Sequence, residues 1–410
     1  MNKMIVLPGT ISSNFFTNEL PYIKKYFKIA AIIAYQEPAH KIMDILSDDQ
    51  LPATLIKDKN IKVLFSRRFW KWLFCKDTIR EIRQNVHGKC WIKKLFYILY
   101  YGCFCTQACQ AFDQILGTLA EGETIYLYSY WLSRPAYAIS YYRMTHMDDP
   151  RIRHIISRAH GYDLYVERNG VHYLPFRQTI NSYLDSIHFI SEDGRKYFQK
   201  NYPFSREGAS KQVSRLGTYN KEGFYKKIYS KQKICIISCS AARQVKRLDL
   251  MIDLFAQLKE DVHWIHIGDG ELLEEMKAYA AAKLPAGKFT FLGQVDNDKI
   301  LEQYEKYNAD FFLNLSDSEG IPVSMMEAMS YGLPCIGRNV GGMGEIIDET
   351  TGLLLPSKLG EITRIQQFIQ MRLGDVAAYT EISGNCRIKW ETKYNALKNY
   401  ETFFGGLSNG

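Results

Sequence analysis

The 410-residue chain lacks four features that would each have set its class: a metal-ligand spacing among its nine cysteines, an apolar run of signal-peptide length in Met1 to Pro8, an uninterrupted apolar run of membrane-spanning character, and a nucleic-acid recognition motif. Cys103, Cys105 and Cys109 cluster, but no zinc spacing or histidine pair accompanies them. They are expected as reduced, mostly buried thiols, with Cys235, Cys239 and Cys335 as small apolar fillers in or beside strands. No metal site and no cofactor are expected. The apolar run within Met1 to Pro8 is too short for a secretory signal, so a cytoplasmic location is expected. Leu95 to Phe112 carries no charge, yet Thr106, Gln107 and Gln110 interrupt it, which favours a buried or interfacial helix over a membrane span.

What is present is unevenly charged. Twelve basic residues fall between Lys57 and Cys105 against three acidic ones (Asp58, Asp77 and Glu81), in a chain whose whole net charge is +8. Phe65, Phe69, Trp70, Trp72, Phe74, Trp91, Phe96 and Tyr97 are interleaved with them. Cations mixed with aromatics suit the headgroup layer of an anionic membrane, so peripheral membrane contact through residues 57–105 is expected. An ordinary basic face on buried helices is the alternative. With no recognition motif beside the charge, nucleic acid is not expected as a partner.

The segment Asp310 to Pro334 (DFFLNLSDSEGIPVSMMEAMSYGLP) is the most informative. Phe311 to Leu315 reads as a buried strand and Ser316 to Ile321 as a loop. Pro322 reads as the first residue of a helix that Gly332 and Pro334 close. Such a helix start leaves N–H groups unsatisfied and concentrates partial positive charge, which suits a phosphate just outside Val323 and Ser324. Glu319 in the loop and Glu327 in the second helical turn place carboxylates beside that anion site. Hydroxyls of a sugar or ribose would justify them, because a carboxylate accepts strong charge-assisted hydrogen bonds from a diol. Alone, this spacing could equally be a capped helix with two solvated glutamates.

Glu319-x7-Glu327, followed by Ala328-Met329 and Gly332-x-Pro334, resembles the EX7E signature of retaining GT-B glycosyltransferases of family 4. The resemblance implies that Glu319 and the adjoining Gly320 and Ile321 meet the donor sugar, and that Glu327 binds the nucleotide ribose. It extends through the second half of the chain. Ile234 to Ser238 reads as a strand, followed by a loop to Arg247 and a helix with Leu248, Met251, Ile252, Phe255 and Leu258 on one face. Lys246 matches the family's diphosphate lysine, whereas Ala241 stands where the family has an arginine; Arg243 or Arg247 is left to take that place. Val262 to Gly270 (VHWIHIGDG) reads as strand, glycine turn and helix. Phe289 to Gly293 is a further strand, at whose exit, Gln294 and Val295, the family holds the base. Val340 to Glu345 is a glycine loop leading into a short helix, and Gly352 to Leu355 a last strand. The family often has Phe-Gly where this chain has Ile321-Pro322, which costs one backbone donor.

The first half shows the same alternation. Met4 to Leu7 opens as a strand ending at Gly9, which is counted with the donor contacts, and Phe15 to Phe27 has helical spacing. Ile29 to Ile33, Ile125 to Tyr128, His154 to Ser157 and Ile187 to Ile190 read as strands. SRAHGYDLY (Ser157 to Tyr165) resembles the family's H-G-x-D turn, which implies that His160 lies close to the donor sugar. Arg158 is open between an anion contact and an exposed cation.

Alternating strands and helices imply an α/β chain with doubly wound parallel sheets and ligands at the strands' carboxyl ends. The resemblance implies GT-B architecture: two Rossmann-like domains facing a cleft. An acceptor domain is expected at 1–216, a nucleotide-sugar domain at 217–387, and a helix at 388–410 crossing back to the first. The boundary lies in the Gly217 to Lys227 stretch. The expected activity is metal-independent, retaining transfer of a sugar from a UDP- or GDP-sugar to a glycan or lipid-linked acceptor, in surface polysaccharide synthesis. Glu319, Lys246 and His160 are the catalytic candidates. An epimerase or phosphorylase of the same fold, or a non-catalytic scaffold, are the alternatives.

Overall fold

The computed structural model describes residues 1–10, 14–35, 52–57, 60–203, 206–226, 233–258, 261–356 and 362–409. Of the residues invoked above, Asp58, Lys59, Lys227 and Gly410 lie outside this set, as does the side chain of Phe15. The chain divides into two compact units, Met1–Ser214 with Tyr400–Gly410, and Arg215–Asn399.

The first unit is built on strands β1 (Lys3–Gly9), β2 (Lys28–Tyr35), β3 (Ala53–Ile56), β4 (Ile125–Ser129), β5 (Ile152–Ala159), β6 (Ser186–Phe189) and β7 (Ser210–Val213). They pair in the order β3-β2-β1-β4-β5-β6-β7, every pair parallel. Helices α1 (Asn14–Tyr26), α2 (Arg67–Leu73), α3 (Lys76–Asn85), α4 (Trp91–Leu116), α5 (Arg134–Thr145), α6 (Arg177–Tyr183) and α7 (Glu192–Asn201) lie between them. A parallel sheet covered on both faces needs apolar residues at successive positions, and Met4 to Leu7 and Ile125 to Tyr128 meet that need by being buried without alternation. The charge-free stretch after Leu95 belongs to α4, which buries Ile98, Tyr101, Phe104, Cys105, Ala108 and Phe112 against this sheet. Among the described residues no helix is long and apolar enough to cross a membrane.

The second unit uses β8 (Ile234–Cys239), β9 (Val262–Ile267), β10 (Phe289–Gly293), β11 (Phe311–Asn314), β12 (Cys335–Arg338) and β13 (Gly352–Leu355), with α8 (Leu248–Gln257), α9 (Leu273–Lys283), α10 (Ile300–Lys306), α11 (Val323–Tyr331), α12 (Met343–Ile346), α13 (Ile362–Gly374) and α14 (Val376–Lys389). Its strand order is β10-β9-β8-β11-β12-β13, again all parallel. Buried Asp310 pins the start of β11: it accepts from Cys235 N at 2.9 Å and Arg372 Nε at 2.9 Å, with Lys226 Nζ at 3.3 Å. The last helix, α15 (Ala396–Asn409), carries the chain into the first unit from Tyr400 onward.

That return explains a residue the sequence left open. Arg158 is not an exposed cation: it has no solvent exposure. It pairs with Glu19 of α1, donates Nη2 to Ser214 O at 2.9 Å, and lies 4.4 Å from the Phe403 ring. Glu19 also accepts from Tyr128 Oη at 2.7 Å. Burial drives the Glu19 pKa up while Arg158 pulls it down, so the pair is stable only as a unit. We expect Glu19→Ala to cost about 3–5 kcal/mol, because it strands a buried guanidinium. The urea midpoint would report this, and the Glu19→Leu/Arg158→Met double variant should lose less than Glu19→Ala.

Candidate functional site

In the second sheet the strand order reverses between β8 and β11, the point at which open parallel sheets form their ligand crevice. The β8 loop runs through one 3-10 turn, Gln244–Lys246, and starts α8 from Arg247, which sits in the left-handed region at φ +52. The β11 loop carries Asp317 and Glu319. A backbone hydrogen bond from Asp317 N to Val245 O, at 2.9 Å, stitches the loops together.

Lys246 Nζ lies 2.6 Å from Glu319 Oε1, and Asn314 Nδ2 donates to the same oxygen at 3.1 Å. Glu319 is buried at 7 % exposure and Lys246 is half-buried. Arg247 is held on both sides, through Nη2 to Asp249 at 2.8 Å and Nη1 to Asp317 at 3.2 Å. Arg338, the last residue of β12, reaches Asp317 Oδ1 at 2.5 Å and Leu315 O at 3.1 Å. Ala241 and Arg243 are exposed, and the Arg243 guanidinium makes no hydrogen bond or ion pair among the described residues, although its backbone is tied to Ala241 O and Lys246 N at 2.9 Å each. Arg215 Nη2 meets Glu345 Oε2 at 2.9 Å at the α12 side. Arg338 and Arg215 escaped the sequence reading, because each meets its partner through a tertiary contact that local spacing does not show.

Helix α11 begins at Val323, with Pro322 as N-cap in an extended conformation instead of as the first helical residue. Val323 and Ser324 are first-turn residues whose N–H groups have no acceptor within the helix. Gly332 ends it at φ +87. Glu327 is half-buried, its carboxylate makes no hydrogen bond among the described residues, and burial raises its pKa to about 7. Two glycines allow neighbouring loops to press on this site. A Cβ at Gly341, φ +52, would stand 2.0 Å from Glu319 O, and one at Gly268, φ +135, 2.0 Å from Ser240 O. Gln294 and Val295 leave the end of edge strand β10, where Gly293 O accepts from Gly268 N at 2.8 Å.

Lys246, Glu319, Glu327, Gly320, Ile321, Val323, Ser324, Arg243, Arg247, Gln294 and Val295 thus all belong to the second unit, on the loops that leave β8, β10 and β11 or in the first two turns of α11. His160 and Gly9 belong to the first. Gly9 ends β1 at φ +86, with Trp131 against it. His160 is buried between Tyr130 and Trp131, at ring centroid distances of 4.5 and 4.6 Å. Its Nε2 is 3.0 Å from Tyr130 O, and burial and Arg158 lower its pKa to about 3, which keeps the ring neutral. Asp163 shapes the turn by accepting from His160 N at 2.6 Å and Leu132 N at 2.5 Å.

Residues 221–370 match the family model for glycosyl transferases group 1. Among curated proteins, the chain is 29 % identical over 182 residues to the N-acetyl-alpha-D-glucosaminyl L-malate synthase of Bacillus anthracis, covering 43 % of the chain and 46 % of that protein. It is 32 % identical over 143 residues to the UDP-Gal:alpha-D-GlcNAc-diphosphoundecaprenol alpha-1,3-galactosyltransferase of Escherichia coli, 34 % of each. The chain therefore spans under half the length of these relatives. Among solved structures, Anabaena Alr3699/HepE in complex with UDP and glucose superposes with a TM-score of 0.67 at 14 % identity, covering 100 % of both chains.

The Glu327 carboxylate offers a pH test. Its folded-state pKa is raised from 4.5 to about 7, so its charged form opposes folding above pH 7, and the penalty fades as pH falls from 7 towards 4.5. Glu327→Gln should raise the melting temperature at pH 8 and give a smaller gain at each step down towards pH 4.5, read by thermal unfolding across that range.

Proposed function

We propose that this chain, whose residues 221–370 match the model for glycosyl transferases group 1 within a two-sheet GT-B fold, transfers a sugar from a nucleotide-sugar donor to a glycan or lipid-linked acceptor with retention of configuration. The observation that carries the reading is the Lys246–Glu319 pair, 2.6 Å apart at the strand-order reversal, beside the open first turn of α11.

On this reading the donor's base lies by Gln294 and Val295 and its ribose hydroxyls on Glu327. The diphosphate meets Lys246 and the N–H groups of Val323 and Ser324. Glu319 accepts from hydroxyls of the donor sugar, a task for which an ionised carboxylate is suited. Arg243 is the cation that takes the place of the missing family arginine, because Arg247 is committed to Asp249 and Asp317. As the sugar's bond to the diphosphate breaks, negative charge grows on the leaving oxygens, and fixed cations stabilise that state more than the bound donor. The leaving phosphate takes the acceptor's proton on the face from which it departs, so no enzyme nucleophile and no metal ion is invoked.

A UDP-sugar is the favoured donor and a diphosphate-linked lipid sugar the favoured acceptor. The HepE structure holds UDP and glucose, and the E. coli relative is named for UDP-Gal and a diphosphoundecaprenol substrate. Surface polysaccharide synthesis, at the cytoplasmic face of a membrane, is the corresponding role.

Lys246→Ala and Glu319→Ala should each lower kcat by about 10²–10³-fold with the fold retained, measured by nucleotide release in the presence of acceptor. Arg243→Ala should raise KM for the donor, while Arg247→Ala should mainly lower the melting temperature. Full transfer by the Lys246 and Glu319 variants would overturn the site.

A further inference from the structure

The first unit displays an exposed aromatic surface outside the proposed donor site. Phe65 is 82 % exposed, Trp70 48 %, Phe74 67 %, Trp91 50 %, Ile92 52 % and Phe96 65 %. Two contacts orient the helices that carry most of these side chains. Arg68 Nη2 meets Asp113 at 2.6 Å, and the Trp72 ring covers Gly102 so closely that a Cβ there would lie 2.1 Å away. Contacts therefore move down α4 as the chain moves up α2, so the two run antiparallel. Phe74, at the end of α2, therefore lies on the side of Gly102 towards the start of α4, the end that carries Trp91, Ile92 and Phe96. Trp70 and Phe74 stack at 5.8 Å. Phe69 and Trp72 of the same helix are buried and supply its core contacts, so Trp70 and Phe74 are not needed there.

Charge distinguishes what this surface would meet. Arg67, Lys71, Lys76, Arg83, Lys89 and Lys93 are exposed around the aromatics. The two acidic residues between Asn60 and Phe96, Asp77 and Glu81, are both buried. Asp77 accepts from Thr179 Oγ1 at 2.6 Å and Glu81 from Phe176 N at 2.9 Å, so neither carboxylate offsets the outward charge. A polyanion alone would satisfy the cations and leave the aromatics in water. An apolar protein face would cover the aromatics and strand the cations. An anionic bilayer meets both demands, with lipid phosphates at the height of the cations and an interfacial layer that takes Trp and Phe.

We propose that this flank docks on an anionic lipid bilayer, with Trp70, Phe74, Trp91 and Phe96 entering the headgroup layer and the surrounding lysines and arginines at the phosphates. The surface is independent of the donor site, and the two can fail separately.

Flotation with vesicles of phosphatidylcholine and phosphatidylglycerol, compared with phosphatidylcholine alone, tests this. The full chain should float with the anionic vesicles only. Trp70→Ser/Phe74→Ser/Phe96→Ser should weaken that binding by about tenfold or more. Lys71→Glu/Lys93→Glu should weaken it by roughly fivefold per cation removed. Both variants alter exposed positions, so circular dichroism and the thermal shift with UDP should match the wild type. That match separates a lost membrane surface from a lost fold or donor site. Absence of flotation with anionic vesicles would overturn the proposal. So would an aromatic-to-serine variant that floats as well as the wild type, particularly one that binds heparin equally, since the flank would then be a plain polyanion surface.

Discussion

Parallel strand pairing is the constraint from which the rest of this molecule follows. Each parallel strand must be re-entered from its own starting end, so every strand-to-helix loop leaves at one edge of its sheet. In both sheets the order reverses once, between β1 and β4 and between β8 and β11, the points at which sheets of this kind form a ligand crevice. Gly9 stands at the first reversal, and Lys246 and Glu319 flank the second. The candidate residues of the second unit gather at its reversal, and Gly341 and Gly268 let neighbouring loops approach the carbonyls of Glu319 and Ser240 there.

Electrostatics then decides what the second crevice suits. Lys246, Arg247 and Arg338 are held by Glu319, Asp249 and Asp317, so the cations are oriented before any anion arrives. Preorganisation of this kind lowers the reorganisation needed when charge develops on a ligand. The pairing has a cost as well, because a cation tied by two carboxylates is less available than a free one. That distinction favours Lys246 and exposed Arg243 over Arg247 as partners of a diphosphate. Glu327 contributes the opposite effect: its burial works against ionisation, so hydrogen-bond donors brought by a ligand would stabilise its charged form.

Much of this architecture was legible in local sequence, and the parts that were not share a cause. Phe311 to Leu315, Pro322 and Gly332 marked strand, helix start and helix stop because each acts through its own backbone. The proline was misplaced by one position, since an extended Pro322 serves as the cap and leaves Val323 to open the helix. Arg158 was unreadable because its partners, Glu19, Ser214 and Phe403, are brought together only by the sheet and the returning chain end. Arg338 and Arg215 were overlooked for the same reason. In the aromatic and basic stretch after Lys57, spacing alone did not separate buried Phe69 and Trp72 from exposed Trp70 and Phe74.

The central claim is that a nucleotide sugar binds between the β8 loop and the first turn of α11. Hydrogen exchange of the full chain with and without UDP-glucose or UDP-galactose measures this directly. The account predicts slowed exchange at the amides of Val323 and Ser324 and across the 240–247 loop, with the protection reduced in Lys246→Ala. Unchanged exchange at those amides, with protection appearing only elsewhere in the chain, would contradict it.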